Sequence, residues 1–265
     1  MTNQPRVLLL TTASSYRAMA FVSAAQRLDV KALVAIDTPT ALVRERNDCI
    51  ELDFAREKAA LAAITALHAH MPLAAIIAVD DSGGLLAARA SARFGLPHND
   101  PQAAEAARDK YLMRTLFARA GVASPPFRLC STDDDLPQLA QQINYPCVVK
   151  PLRLNGSRGV IRADDEAQFV AAAQRLGRLL RKIDGDGPQP FLVEDFIPGF
   201  EVALEGLIDN GRLQLLALFD KPDPLDGPFF EETIYVTPSR LPDDVQQAIV
   251  ATAAAAAQAV GLRTG

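Results

Sequence analysis

Several kinds of chemistry have little to work with in this chain. Its three cysteines, Cys49, Cys130 and Cys147, have no CxxC spacing and are odd in number. That points to structural thiols in a reducing cytosol rather than a disulfide framework or a redox motif. The histidines are also three. His68 and His70 sit two apart on an expected helix, so they diverge, read as surface residues and do not share a metal. His98, in a Gly-Leu-Pro-His turn, reads as a loop cap. No GxSxG is present, so a hydrolase-type serine has no context, and no GxGxxG follows the first strand, so a dinucleotide site finds no support. No apolar run approaches the roughly 18 residues of a membrane span. There is no basic tract and the net charge is −5, which makes nucleic acid a poor partner. The N-terminus carries one basic residue ahead of a four-residue apolar run, which is no signal peptide. A soluble, cytoplasmic protein with no membrane partner is expected.

What is present fits that class. Hydrophobic residues make up 49% and charged residues 22% of 265, enough core for two or three lobes. Residues 7–10, 30–36, 49–52 and 74–79 read as strands, and 16–28 and 57–69 as helices. Strand–helix alternation of this kind predicts a parallel sheet, with ligands at the carboxyl ends of its strands. Thr11 to Tyr16 and Asp80 to Gly84 would occupy that rim. Asp80 and Asp81 read equally as helix caps or as ligand contacts.

Asp100-Pro101 predicts a helix start, with one or two helices over 103–120. Asp109-Lys110 lies within them, as surface charge or as a ligand contact. Pro125-Pro126 marks a lobe boundary. Beyond it, Tyr145-Pro-Cys-Val-Val-Lys150-Pro brings a lysine to the end of an apolar strand, and Asn155-Gly156-Ser157-Arg158-Gly159 forms the turn after it. A fixed cation followed by glycine-permitted backbone N–H groups is what a polyphosphate requires; the same segment also reads as a hairpin with an exposed basic tip. Helices are expected at 163–180 and 245–260. In Phe191-Leu-Val-Glu194-Asp195-Phe-Ile197-Pro-Gly-Phe-Glu201, an apolar strand, a turn and two acids could serve a purine and a ribose diol, or form a ribbon with solvated acids. A second lysine ends a strand at Asp220-Lys221-Pro, ahead of Glu231-Glu232, so two lysines could clamp one triphosphate.

In this order, Asp109-Lys110, Val-Val-Lys150-Pro, the 155–159 turn, Leu-Val-Glu194-Asp-Phe-Ile-Pro-Gly-Phe-Glu201 and Asp-Lys221-Pro resemble the ATP-grasp superfamily. Gly-Pro-Phe-Phe-Glu231-Glu232 with Tyr235-Val-Thr-Pro-Ser239 resembles its carboxylate–amine ligase branch, akin to L-amino-acid ligases. The resemblance spans essentially the whole chain. It implies an α/β protein: an N-terminal Rossmann-like parallel-sheet lobe (1–100), a helical linker (101–124), a small α+β flap lobe (125–190) and a larger lobe (191–265). It also implies the roles. Lys110, Lys150 and Lys221 would contact ATP phosphates, and Asn155, Gly156, Ser157 and Gly159 would form a flap over them; Arg158, like Arg153, reads equally as a catalytic phosphate contact of the flap or as a solvated turn residue. Glu194 with the backbone of Asp195 and Ile197 would read adenine, and Glu201 would hold the ribose. Glu231 and Glu232 would orient the amine or assist metal binding. ATP with Mg²⁺ would phosphorylate a small carboxylate, such as an amino acid, and an amine would then attack the acyl phosphate. Members of the family carry metal-binding carboxylates on strands that would follow Gly265, so the last lobe is expected to be incomplete and the chain an inactive fragment. A homodimer is compatible with the family. A non-catalytic ATP-binding sensor or scaffold is the second reading; a bicarbonate-activating carboxylase is a third, for which the chain has no biotin-carrier lysine motif.

Overall fold

Apolar runs bounded by turn residues set the frame. The structure, a computed structural model, describes residues 4–39 and 49–265; Met1, Thr2 and Asn3 of the N-terminal reading lie outside them. The chain divides into two compact units, residues 1–105 with 264, and residues 106–263 with 265. Among the described residues no helix is long and apolar enough to cross a membrane.

The first unit alternates as its pattern demands: β1 (Arg6–Thr12), α1 (Ala18–Arg27), β2 (Lys31–Asp37), β3 (Ile50–Leu52), α2 (Glu57–His70), β4 (Ala75–Ala78) and α3 (Gly84–Phe94). The strands form a parallel sheet in the order β3-β2-β1-β4. Leu8 and Leu10 of β1 pack with Ala60 and Ile64 of α2 and with Leu86 and Ala90 of α3. Parallel strands buried by helices carry such near-continuous apolar runs. His68 is not the surface residue expected: its Nδ1 accepts from the Leu73 N–H at 3.1 Å and its ring stacks on Phe94. A partly buried imidazole thereby closes the turn after α2. His98 behaves as read, its Nδ1 lying 2.6 Å from the Leu96 carbonyl.

The predicted helical stretch near 103–120 is two helices, α4 (Pro101–Arg108) and α5 (Lys110–Ala120). Asp109 is the reason for the break. It sits extended at φ −111° and accepts from the N–H groups of Tyr111 and Leu112, satisfying donors that α5 leaves open.

In the second unit, β5 (Phe127–Ser131), β6 (Cys147–Pro151), β7 (Ile161–Ala163) and β8 (Pro190–Asp195) form an antiparallel sheet in the order β5-β8-β6-β7, with α6 (Leu136–Ala140) and α7 (Glu166–Asp184) in the connections. β8 is an interior strand of this sheet, paired with both β5 and β6; a strand ending in acids gives no local sign of which sheet it joins. α7 presents Phe169, Ala172, Ala173, Leu176 and Leu180 to Cys147, Val149, Phe191 and Val193, a helical stripe on one face of strands that alternate. Burying a Phe in this way contributes about 1.5–3 kcal/mol. The same burial pushes the Cys130 thiol up to about 11 and that of Cys147 to about 12, consistent with inert, structural thiols. β9 (Val202–Asp209) and β10 (Arg212–Asp220) form a hairpin closed by Asn210 and Gly211, at φ 50° and 81°, the Asn-Gly turn that suits strand twist. α8 (Asp243–Val260) packs Val260 with Ala106 and Phe117.

Candidate nucleotide site

In the first unit, the rim residues form a closed polar knot. Asp80 Oδ2 accepts from the Thr11 hydroxyl and the Thr12 N–H, both at 2.8 Å, and Oδ1 from Ser15 at 2.9 Å. Burial raises the Asp80 pKa, but these hydrogen bonds outweigh it and hold the carboxyl below its usual range. Asp80 therefore neither caps the following helical turn through its side chain nor offers an unoccupied acid; it ties the loop after β1 to the end of β4.

The second unit contains a cavity of about 550 Å³ on the sheet face opposite α7, within the range of small-molecule sites. Strand alternation puts Val149 and Val193 against α7 and leaves Val148, Lys150 and Glu194 on the other side. Val148 pairs with Glu194 and Lys150 with Leu192 in register, so Lys150 and Glu194 are diagonal neighbours, within reach of long side chains. Lys150 Nζ lies 2.5 Å from Glu194 Oε2. Arg114 of α5 approaches from outside the sheet, with Nε 2.6 Å from Oε1. The Glu194 side chain is 3% exposed. Burial opposes its ionisation, yet the Arg114 hydrogen bond and the charges of Lys150 and Arg114 hold its carboxyl below the usual range. Both oxygens are thus engaged by cations, which leaves this carboxylate no oxygen without a charged partner.

Lys110, the first residue of α5, donates to the Leu154 carbonyl at 2.8 Å. Burial and the nearby Lys150 charge lower its pKa, against the opposing pull of Glu194. With Lys150 and Arg114 it gives the cavity three cationic side chains, and a ligand with several negative charges suits such a wall. Asn155, Gly156 and Ser157 of the turn after β6 also line the cavity. Gly156, Ser157 and Gly159 take φ of 60°, 53° and 80°; successive residues of this kind turn backbone N–H groups inward into anion-binding concavities. A side chain at Gly159 would meet Leu176 and Leu179 at 3.0 Å, so glycine is required there for close approach to α7. Ile197 and Phe200 form an apolar lip, 64% and 90% exposed.

Lys110, Lys150, Asn155, Gly156, Ser157, Glu194, Asp195, Ile197, Glu201 and Glu232 all line this one cavity. Lys221 stands behind it: its side chain is 7% exposed, and Nζ lies 2.5 Å from Glu201 and 2.6 Å from Glu232. Burial lowers the Lys221 pKa, but the two carboxylates more than reverse this and raise it above the ordinary value. Tyr235 also donates to Glu232. Gly159 and Glu231 line a second cavity, of about 610 Å³, between the flap and α7. Arg158 is exposed and lines neither. Arg114 was not among the expected residues. Its place four residues after Lys110 puts both on one helix face, the signal that would have found it.

Magnesium takes oxygen ligands and is commonly held by one or two carboxylates together with phosphates and water. Among the described residues no group of three or more metal-ligating side chains occurs, and Glu201 and Glu232 are drawn to Lys221. The described residues do not themselves make a metal site.

Comparison with known proteins bears on this arrangement. Residues 143–265 match the ATP-grasp domain and residues 19–98 the ATP-grasp N-terminal domain. The chain is 33% identical over 191 residues to alanine–anticapsin ligase of Bacillus amyloliquefaciens, covering 66% of this chain and 40% of that protein. It is 28% identical over 159 residues to D-alanine–D-alanine ligase of Aromatoleum aromaticum, covering 59% of this chain and 49% of that one. The crystal structure of an L-amino acid ligase from Bacillus licheniformis superimposes with a TM-score of 0.82 at 25% identity, over 100% of this chain and 64% of that chain. The chain thus spans under half the length of those two curated relatives. With both matched domains present in sequence order, and a cationic cavity within the second unit, the chain belongs to the ATP-grasp family.

Proposed function

We propose that this protein is an ATP-dependent carboxylate–amine ligase, using ATP to activate a small carboxylate, an amino acid being the first choice, for attack by an amine. The observation that carries this reading is the cavity wall in which Lys110, Arg114 and Lys150 surround one buried acid beneath a glycine-rich flap. Glu194 offsets part of the cationic charge and holds Lys150 and Arg114 in place before any ligand arrives. The ATP phosphates would lie against Lys110 and Lys150 under Gly156 and Ser157. The adenine would enter the apolar slot of Val148, Leu154, Ile197 and Phe230, with hydrogen bonds from the backbone of Asp195 and Ile197. Glu201 would accept from the ribose hydroxyls. In such a reaction a carboxylate oxygen attacks the γ-phosphorus and ADP departs; the amine nitrogen then attacks the acyl carbon and phosphate departs. Positioning and charge neutralisation supply most of that catalysis, and the residues here are of that kind. A flap closed over the cavity would keep water from the acyl phosphate. Because the described residues do not make a metal site, no step runs through magnesium.

The test is phosphate release from Mg-ATP, screened against amino acids singly and in pairs, with mass spectrometry of the products. Release that requires a particular pair and yields the condensed product is expected. ATP binding without release under any pair would overturn the ligase reading in favour of a nucleotide sensor.

A further inference from the structure

Arg162, the middle residue of β7, touches three segments that border the cavity. Its N–H donates to the Pro228 carbonyl at 2.9 Å, next to an antiparallel bridge between Ile161 and Phe229. Its Nη1 donates to the Asp226 carbonyl and its Nε to Asp164, both at 2.7 Å. The guanidinium carbon lies 4.2 Å from the centre of the Phe196 ring. Gly227, at φ 93°, crosses the side chain so closely that a Cβ there would fall 2.9 Å from that of Arg162. One planar fork thus donates at its edges while its face stacks on an aromatic ring, which a lysine does not reproduce. The three segments are the returning strand of the flap hairpin, the stretch after β8 that lines the cavity, and the loop that carries Glu231 and Glu232. β7 is already held in the sheet by its ladder to β6, so the side-chain contacts of Arg162 serve the loop and not the strand.

We propose that Arg162 is a positioning residue that couples the flap to the 226–232 loop, so that movement of the flap over a phosphate carries Glu231 and Glu232 with it. Its chemical consequence rests on the ligase reading; its mechanical part does not. Hydrogen exchange on the whole chain tests the mechanical part. Arg162→Met keeps the methylenes and removes the fork, and is expected to speed exchange in residues 226–232 by about tenfold or more, with β5, β6 and β8 unchanged. Arg162→Lys should fall between the two. Unchanged exchange at 226–232 overturns the proposal, as does an equal rise throughout the sheet, which would mark general destabilisation.

Turnover supplies the second readout. Arg162→Met should lower kcat by about tenfold or more while KM for ATP stays within about threefold, with partial recovery in Arg162→Lys. An equal loss in ATP affinity and kcat would make Arg162 an ordinary nucleotide contact and overturn the coupling. If the wild type releases no phosphate with any amino acid, the ligase reading fails, and the exchange rates still decide whether the coupling exists.

Discussion

The two lysines at strand ends, Lys150 and Lys221, are held in inverse ways. At Lys150 the acid is sealed, with Glu194 3% exposed, and the lysine reaches the cavity at 16%. At Lys221 the lysine is sealed at 7%, and its acids Glu201 and Glu232 are 49% and 41% exposed. A buried acid shared by two cations is a rigid fixture, because losing any partner strands charge in a medium that solvates it poorly. A buried lysine between two accessible acids is a clasp, since either acid can turn to a ligand while the other retains the ammonium. The first arrangement suits holding phosphates, and the second suits a ribose or an amine that arrives and leaves.

The largest expected effect would break the fixture. Glu194→Ala leaves Lys150 and Arg114 facing each other and should lower stability by about 3–5 kcal/mol, read as a fall in Tm by circular dichroism. A loss near zero would mean that both cations simply turn to solvent and that the site has no rigid element. Lys150→Ala is next. Arg114 still pairs with Glu194, so the fold should survive. ATP affinity by calorimetry should drop about 10- to 100-fold, or about 1.4–2.8 kcal/mol; unaltered affinity would remove the phosphate assignment.

Changes at the clasp should be smaller. Glu201→Ala should weaken ATP by about 1 kcal/mol while leaving inorganic tripolyphosphate unaffected, and equal losses for the two ligands would exclude a ribose role. Glu232→Gln should shift stability by less than about 1 kcal/mol, as expected for partly exposed ion pairs; a larger loss of Tm would make the two lysine sites alike. The smallest effect is in pH. Burial and Lys150 lower the pKa of Lys110, and a bound phosphate favours its charged form. ATP affinity should therefore begin to fall with rising pH below the ordinary lysine value of about 10.4, with proton uptake on binding in that range. Calorimetry in two buffers of different ionisation enthalpy would detect the uptake, and Lys110→Arg should abolish it.

Much of the frame was legible along the chain. Apolar runs with turn residues marked every strand of the parallel sheet, and Asp-Pro and Gly marked helix ends. The strand-end lysines, the 155–159 turn and Glu201 could be singled out because each is a local pattern. Arg114 was missed: its one local sign is its place four residues after Lys110, and that spacing does not say that α5 lies beside Glu194. Asp80 was recognised as a rim acid, but its partners Thr11, Thr12 and Ser15 are 65 or more residues away. Arg158 belongs to the right turn but does not line the cavity, because a turn's composition does not fix where each side chain lies.

By itself the sequence determined the order of strands and helices, the positions where backbone must take positive φ, and the placing of lysines at strand ends, since these depend on periodicity and on the conformational limits of single residues. Tertiary structure alone decided that β8 enters between β5 and β6. That insertion sets the register pairing Val148 with Glu194, and with it the contact between Lys150 and a carboxylate 44 residues away. The physical reason is that strand register follows from which alternate face can be buried against α7, a choice made by packing and not by any residue alone.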